Sequence, residues 1–591
     1  MANMRPRVTK RERKLHLSYE LPHRIHDAQI YPITAPNGST LIIYGHSQGL
    51  RLLWRGGRRR RDGSTTARTN GARQDQLMVL DDDDTPDAEF EDEEEELDQD
   101  CPYASITQEL DLSMEWDVLR VAVPSLNSSA LTPPLLRKNA LVTIALSNGT
   151  VMLLQIPLNP PAERAKDQAR MQIYDTRNEL AGKGPVPSNV AVKFFPVDSH
   201  ASTGLKRQQE GVEGHLLIAS AFRALNIWTM SVMAHELAGE EQSMFQRFQT
   251  VPLSSPSTCL SFHPSVRSAQ VLLVDISGAA RIYDPHALKT APKRPGSSDS
   301  QLEAPKATGA PGKWITTYLT GFHSEQDVAP GLARRKKILD AKWVNSGKGV
   351  LALMDDGQWG VWDVLGTLRS ENHIQGFVLE GYLSSSPVGD AVESNKPKKG
   401  LSNLAPMTPN TRKAKSQELF TGAPKVAGVA SRGGISVSST TPRTGQTDES
   451  VVMWYNTDVY SIASMQQFWQ RSTSSGGSVG SMHAPAMAHL TDIDLISENI
   501  TSVSQFRSQF SSAGIGHMNT RRDLLISGEH RALILQNLRP PTPARGLFSL
   551  VERPASRDVA MSDSSLGQGL DGINAVLDSM NTTSRRVGFA Q

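Results

Sequence analysis

The sequence is poor in cysteine and in aromatic residues, and it contains no long uncharged apolar run. Its 591 residues include two cysteines, Cys101 and Cys259, which are too few for a disulfide framework or a four-cysteine zinc site. No stretch reaches the roughly 18 uncharged apolar residues that a membrane-spanning helix requires. The basic first 14 residues are not followed by the apolar segment of a secretory signal. We therefore expect a soluble protein of a reducing compartment, with no membrane insertion.

Charge is unevenly distributed along the chain, although the total nearly cancels to +1. Residues 1–61 hold 13 basic and 3 acidic side chains, whereas residues 81–100 hold 14 acidic side chains and no basic one. Blocks of like charge repel themselves and bury little apolar surface, so they predict disordered segments. Together with Ser-, Pro- and Gly-rich stretches, they predict disordered insertions at about 58–105, 288–312, 385–450 and 470–490, a basic tail at 1–14 and a flexible tail at 541–591.

Between these segments one pattern recurs seven times. An apolar run of four or five residues precedes a short turn containing Gly, Asn, Asp or Ser, and a second apolar run follows. Turn residues that tolerate positive φ between two apolar runs predict a β-hairpin. The predicted hairpins span residues 41–54, 141–154, 216–228, 271–284, 350–363, 451–462 and 524–535.

Several hairpins are preceded by a further apolar strand, at residues 190–195, 257–262 and 338–344. A strand followed by a hairpin that ends in Tyr283-Asp284 or Trp362-Asp363 is similar to a WD40-type blade. Hairpins of this size are unstable alone and must stack on like neighbours. The sequence therefore predicts an all-β fold, a seven-bladed WD40-like β-propeller over residues 15–540, with long disordered insertions and a few short inserted helices.

Four further segments are assigned, one from ring closure and three from their apolar spacing. Residues 15–31 are expected to supply the strand that closes the ring against the last blade, because closure protects exposed strand edges. Residues 161–180 and 231–248 are predicted to be helices inserted between blades, and residues 490–512 carry a weaker helical pattern.

One motif resembles a catalytic element. Gly-His-Ser-Gln-Gly at residues 45–49 fits the nucleophile elbow of serine hydrolases and follows an apolar strand. The elbow requires a helix after Ser47, but the next residues form a β-rich run that ends in two glycines and four arginines. A hairpin turn explains the motif better, and hydrolysis through Ser47 stays as a remote alternative. We expect no catalytic residues and no enzyme activity.

Metal and cofactor signals are absent from the sequence. The 15 histidines are scattered, with His23 and His26 close together, and neither Cys-x-x-Cys nor His-Glu-x-x-His occurs. The acidic run at residues 81–84 lacks the glycine-centred spacing of a calcium loop. We therefore predict no metal site and no cofactor.

Basic blocks are candidate nuclear-import signals. The candidate import residues are Lys10, Arg11, Arg13, Lys14, Arg58, Arg59, Arg60 and Arg61. No aromatic residues are interleaved with these charges, so they offer no stacking platform for bases, and direct nucleic-acid binding is not favoured.

The C-terminal tail contains one amphipathic stretch, predicted as a short helix over residues 570–580. Its apolar side chains fall at helical spacing and would form a single stripe suited to a partner's groove. The candidate partner-binding residues are Leu570, Ile573, Val576, Leu577 and Met580.

The N-terminal segment adds a family resemblance. Arg24-Ile25-His26-Asp27, Ile30-Tyr31-Pro32, Gly38-Ser39-Thr40, Ile43-Tyr44-Gly45-His46 and Trp54-Arg55-Gly56-Gly57-Arg58 resemble filamentous-fungal forms of the small WD40-repeat nucleoporin of the Y-shaped (outer-ring) nuclear pore subcomplex. The similarity is strongest over residues 20–60.

This resemblance implies a non-catalytic scaffold in the nucleus, at the nuclear envelope, that supports nucleocytoplasmic transport. It implies as partners a larger propeller-and-solenoid scaffold nucleoporin and other nucleoporins. An alternative from another functional class is a WD40 adaptor protein in ribosome assembly or chromatin, a role that the acidic and basic blocks would suit.

Overall fold

Short apolar strands joined by turns build this chain. The computed structural model describes residues 5–11, 14–58, 103–126, 132–196, 212–233, 246–287, 312–323, 334–366, 376–383, 431–440, 448–474, 487–491, 493–508 and 522–537. All of these residues belong to the compact unit formed by residues 1–538.

The first half of the propeller begins with two strands that precede blade 1. They are β1 (Arg7–Arg11) and β2 (Lys14–Glu20). Blade 1 contains β3 (Ile25–Ile30), β4 (Thr40–His46), β5 (Gly49–Arg55) and β6 (Ile106–Ser113). Blade 2 contains β7 (Val118–Ala122), β8 (Asn139–Leu146), β9 (Val151–Pro157) and β10 (Asn178–Ala181). Blade 3 contains β11 (Asn189–Pro196), β12 (Val212–Ala221), β13 (Ala224–Met233) and β14 (Gln246–Pro252).

The second half continues in the same order. Blade 4 contains β15 (Ser257–Phe262), β16 (Val271–Asp275), β17 (Ala279–Asp284) and β18 (Lys313–Leu319). Blade 5 contains β19 (Ile338–Val344), β20 (Gly349–Met354), β21 (Gln358–Asp363) and β22 (Leu379–Tyr382). Blade 6 contains β23 (Gly433–Thr440), β24 (Asp448–Tyr455), β25 (Asp458–Ile462) and β26 (Ala488–Leu490). Blade 7 contains β27 (Ser502–Arg507), β28 (Arg522–Ser527) and β29 (Arg531–Asn537), followed outward by β2 and β1.

The described residues form seven antiparallel sheets arranged as a seven-bladed β-propeller, as predicted. The first strand of each blade packs against the first strand of the next, and β27 of the last blade packs against β3 of the first. The seven hairpins predicted from the sequence are the second and third strands of the seven blades.

The core consists of one hydrophobic cluster at each blade-to-blade interface within the described residues. Central strands such as β4 and β20 are buried along their whole length because both of their faces meet neighbouring blades. Trp54, Trp228 and Trp362 are fully buried third-strand residues that fill these interfaces.

The ring closes through the predicted amino-terminal strand. β2 pairs antiparallel with β29, from Lys14 opposite Asn537 to Glu20 opposite Arg531. This pairing buries Leu15, Leu17 and Tyr19 in the cluster between blades 7 and 1. The prediction that residues 15–31 close the ring is confirmed, and β3 at the end of that segment begins blade 1.

Helices occur as short insertions in the described chain. They are α1 (Pro134–Lys138), α2 (Lys166–Asp175) and α3 (Met465–Ser474), with 3-10 turns at Glu163–Ala165 and Asn345–Gly347. α2 lies where a helix was predicted, within residues 161–180. None of these helices has the length and apolar character needed to cross a membrane.

Two helix predictions are wrong where the structure can be compared with them. Residues 231–233 belong to β13 and residues 246–248 to β14, not to a helix over 231–248. In the weaker helical pattern at 490–512, residues 502–507 form β27. In both places pairing with a neighbouring strand overrides a weak 3.6-residue spacing.

Some strands and one helix lie within segments that the sequence composition predicted to be disordered. β23 and the start of β24 lie within residues 385–450, and both α3 and β26 extend into residues 470–490. β1 lies within the predicted tail at residues 1–14. Small and polar residues such as those of β23 carry little apolar signal, and their strand conformation comes from pairing with β24.

The propeller has two faces. We call the turn face the one that carries the short turns between second and third strands, at residues 47–48, 276–278 and 355–357 among others. The connections from one blade to the next lie on the same face, because each fourth strand ends there. Residues 320–323 and 334–337, the described parts of the connection between blades 4 and 5, lie on it.

Candidate functional site

Ser47 lies in the tight turn between β4 and β5, where it is exposed. The residues that follow form a strand, so the helix that a nucleophile elbow requires is not there. The neighbouring His46 is buried, and both of its ring nitrogens are engaged. Nδ1 accepts from the Gln48 N–H at 3.2 Å, and Nε2 lies 3.2 Å from Asp111 Oδ1. No ring nitrogen is left to take a proton from Ser47, so this geometry does not build a catalytic triad.

His46 belongs to a cluster that sequence reasoning missed. His23, His46 and Asp111 bring one ligand atom each within 4.8 Å of one another. The two imidazole rings stack with centroids 4.3 Å apart, and His23 Nε2 lies 3.7 Å from Asp111 Oδ2. The three residues lie far apart in sequence, and ring closure brings the connection carrying His23 beside the turn of blade 1.

The hydrogen bonds of this cluster disfavour a metal ion. Because His46 Nδ1 accepts a backbone N–H, its proton sits on Nε2, the nitrogen a metal would need. Burial would raise the pKa of Asp111, but the hydrogen bond from His46 and the nearby charge of Arg51 lower it below its usual value. The cluster therefore acts as a hydrogen-bonded brace at the junction of β2 and blade 1.

Polar side chains near the inner strands join each blade to the next across all seven interfaces of the described ring. The joined pairs are Asp27 with Val121 N–H, Arg120 with the Ser188 carbonyl, Ser188 with Ser257, Cys259 with Asp340, Asp340 with Ile435 N–H, Gln505 with the Ser436 carbonyl, and Ser502 with Ala28 N–H. These bonds brace each blade against its neighbours.

Lys193 on β11 is a further buried polar connector between blades. Its Nζ donates to the carbonyls of His263, Ser265 and Ser268 at 2.5, 2.6 and 2.6 Å. Burial lowers the pKa of Lys193 to about 7. A lysine of lowered pKa is a common nucleophile, but here three carbonyl oxygens surround the nitrogen. Lys193 therefore ties blade 3 to the loop that follows β15 of blade 4.

A buried ion pair occupies the interface where the ring closes. Arg55 at the end of β5 donates to Gln536 Oε1 at 2.7 Å, and its Nη1 lies 3.9 Å from Asp523 Oδ2. Both charged side chains are completely buried. Burial raises the pKa of Asp523 to about 6 and lowers that of Arg55, whereas the charge of each partner acts in the opposite direction.

The raised pKa of Asp523 predicts a pH-dependent stability. The folded protein holds the Asp523 proton more tightly than the unfolded chain, so the stability from this carboxyl is present below pH about 4 and is lost as pH rises through about 6. Between pH 7 and pH 5 the wild type should gain about 1 kcal/mol relative to Asp523→Asn. Urea unfolding of both proteins at the two pH values measures this; a difference that stays constant or shrinks on acidification would contradict the assignment.

The predicted import residues are only partly described. Lys10 and Arg11 lie on β1 and Lys14 begins β2, where Arg11 is opposite Lys14. Arg58 follows the two glycines after β5, and its N–H donates to the Asn37 carbonyl at 2.8 Å. Arg13, Arg59, Arg60 and Arg61, and the tail residues Leu570, Ile573, Val576, Leu577 and Met580, lie outside the described residues. Their roles stay predictions.

In the described structure the buried polar groups thus serve to join blades, and the exposed side chains form the surface of the ring. Its buried titratable groups, such as Lys193, Arg55 and Asp523, bridge blades through hydrogen bonds and an ion pair. The thiol of Cys259 is buried, and burial raises its pKa to about 12, which keeps it protonated. The arrangement suits binding to other macromolecules through exposed side chains on a rigid ring.

Comparison with known proteins adds family information. Residues 18–535 match the family model described as the nucleoporin NUP37 N-terminal domain. The chain is also similar to a protein named nucleoporin NUP37 from Chaetomium thermophilum, at 28% identity. That similarity covers 94% of this chain and 81% of the relative.

Proposed function

The chain belongs to the family described as the nucleoporin NUP37 N-terminal domain, and on that basis we propose that it is a non-catalytic scaffold of the nuclear pore outer ring. As a member of this family it is a component of the nuclear pore complex at the nuclear envelope, where it interacts with other nucleoporins. The match over residues 18–535, which includes nearly the whole described propeller, is the observation that carries the proposal.

The rigidity of the ring supports a scaffold role. Seven hydrophobic clusters and polar connectors at every described interface hold the blades in place. A preorganised surface loses little conformational entropy when it binds, so more of the contact energy appears as affinity. The engaged nitrogens of His46 beside Ser47 support the non-catalytic part of the proposal.

The proposed main partner is a larger scaffold nucleoporin that combines a propeller with a helical solenoid. A propeller exposes broad faces and a rim, which suit a large and lasting interface. In this proposal the protein supports nucleocytoplasmic transport by stabilising that assembly and not by contacting cargo.

Quantitative affinity capture from nuclear extract tests the proposal. A tagged full-length chain should recover outer-ring nucleoporins, the larger scaffold nucleoporin among them, in near-stoichiometric amounts after a high-salt wash. Recovery of pre-ribosomal proteins or histones in place of nucleoporins would reject the scaffold and favour the adaptor alternative.

A further inference from the structure

Exposed apolar side chains concentrate on the turn face at blades 4 and 5. Ile276 is 49% exposed, Phe322 52% and Tyr382 59%, and Leu319 lies beside them. We call this surface the Phe322–Tyr382 patch, and its members are Ile276, Leu319, Phe322, Arg335, Lys336 and Tyr382. Clustered exposed apolar side chains with adjacent cations are typical of protein interfaces.

Hydrogen bonds show that the patch is continuous across the two blades. The Thr320 N–H donates to the Gly278 carbonyl at 3.0 Å, which joins the strand end to the turn of Ile276. Thr320 Oγ1 donates to the Lys336 carbonyl at 2.7 Å, and Lys336 Nζ lies 3.4 Å from Tyr382 Oη. The turn of blade 4, the connection between blades and the outer strand of blade 5 therefore form one surface.

Cations hold both aromatic rings in place. Arg335 Cζ lies 4.4 Å from the centre of the Phe322 ring, and Lys336 Nζ lies 5.6 Å from that of Tyr382. Arg335 also donates to the Thr320 carbonyl at 2.5 Å. Cation–π contacts of this kind restrict side chains that are more than half exposed. Rings that are already ordered lose little entropy on binding, which is a property of interface hot spots.

Main-chain donors in the described part of the connection through the patch are already engaged. The N–H groups of Thr320, His323 and Lys336 all donate to carbonyls within the propeller, at 2.9 to 3.0 Å. These three N–H groups are therefore not open to a partner strand. A helix, which satisfies its own main chain and offers a face of side chains, fits such a surface.

The charges around the patch indicate which charge a docking helix would need. Residues 334–337 are four consecutive basic residues, and the carboxylates beside them are Asp355, Asp356 and Glu380. Lys336 is paired with Asp356 at 2.7 Å. Counted over these described residues, four cations face three carboxylates, which leaves a net charge of +1 beside two exposed aromatic rings. The complement of this surface is an apolar stripe flanked by Asp or Glu.

From these observations we infer that the Phe322–Tyr382 patch is the surface on which an amphipathic, acidic α-helix of another outer-ring nucleoporin docks. The inference rests on the proposed function and assigns the surface that carries it out. The helix would cover Phe322 and Tyr382 with apolar side chains and place carboxylates beside residues 334–337.

Paired substitutions test the apolar half of the inference. Phe322→Ala with Tyr382→Ala should reduce the captured outer-ring nucleoporins at least about tenfold, because both rings are proposed hot spots. The matched control is Met171→Ala with Leu365→Ala, two side chains that are 65% and 61% exposed elsewhere, and it should capture the wild-type amount. Both variants should keep the wild-type melting temperature. Equal capture by the patch variant and the wild type would overturn the inference.

Zero-length cross-linking tests the acidic half. Carbodiimide joins a lysine amine directly to a carboxyl group in contact with it, so in the captured complex Lys336 or Lys337 should be linked to Asp or Glu in a helical segment of a nucleoporin. A link from these lysines to a second copy of this chain, or links elsewhere on the propeller with none at residues 334–337, would overturn the inference. Failure of the wild-type chain to capture nucleoporins would instead reject the proposed function.

Discussion

A chain without residues 1–21 should fail to form a stable closed propeller. The deletion removes β2 and with it Leu15, Leu17, Tyr19 and Leu21, which are each at most 3% exposed. Burial of one large apolar side chain contributes about 1.5–3 kcal/mol, so the four contribute on the order of 6–12 kcal/mol. That loss is comparable to the whole stability of a typical domain, about 5–15 kcal/mol. Differential scanning calorimetry should show no cooperative transition near the wild-type temperature.

A shorter deletion is the control for this experiment. Removal of residues 1–13 takes away β1, whose side chains are largely exposed, and leaves β2 paired with β29. This variant should unfold within a few degrees of the wild type. Loss of β2 also leaves β29 as an open edge, so size-exclusion chromatography should show aggregation of the longer deletion alone. A monomeric and cooperative longer deletion would contradict closure by β2.

Replacing Arg55 with alanine should lower the free energy of unfolding by about 3–5 kcal/mol, because the change leaves the buried Asp523 carboxyl without the partner that compensates its burial. Arg55 is fully buried between Gln536 and Asp523, with the Phe506 ring centre 5.5 Å from its guanidinium carbon. Urea unfolding followed by tryptophan fluorescence measures the difference.

Arg24 offers a matched control at the same junction. It pairs with Glu529 of blade 7 at 3.2 Å but is 54% exposed, so Arg24→Ala should lower stability by less than about 1 kcal/mol. The double variant Arg55→Met with Asp523→Leu should recover most of the loss, since apolar residues often replace a buried pair without penalty. Equal effects of Arg55→Ala and Arg24→Ala would show that the buried pair contributes no more than a surface one.

The blades could be predicted because their signal is local. Each hairpin carries its apolar runs and its turn within about 15 residues, as at 350–363, and the closing strand has the same apolar character. The strands that were missed have weak local signals: β23 is rich in Gly and Ser, and β14 follows residues whose spacing suits a helix. Their conformation depends on pairing with strands already in the sheet.

The braces of the ring could not be predicted, because they join residues far apart in sequence. Arg55 and Gln536 are separated by 481 positions, and Asp27 reaches a backbone N–H 94 positions away. In the sequence, Arg55 is one of several basic residues near Arg58, and nothing there distinguishes it as buried. Similarly, nothing near Phe322 in the sequence indicates that Tyr382 lies across the same surface, since the fold alone places blades 4 and 5 together.

Live imaging of the full-length chain, tagged at its natural expression level, tests the central claim most directly. A scaffold of the nuclear pore should give a punctate rim at the nuclear envelope that persists through interphase. A nucleolar focus or a uniform cytosolic signal would contradict the account.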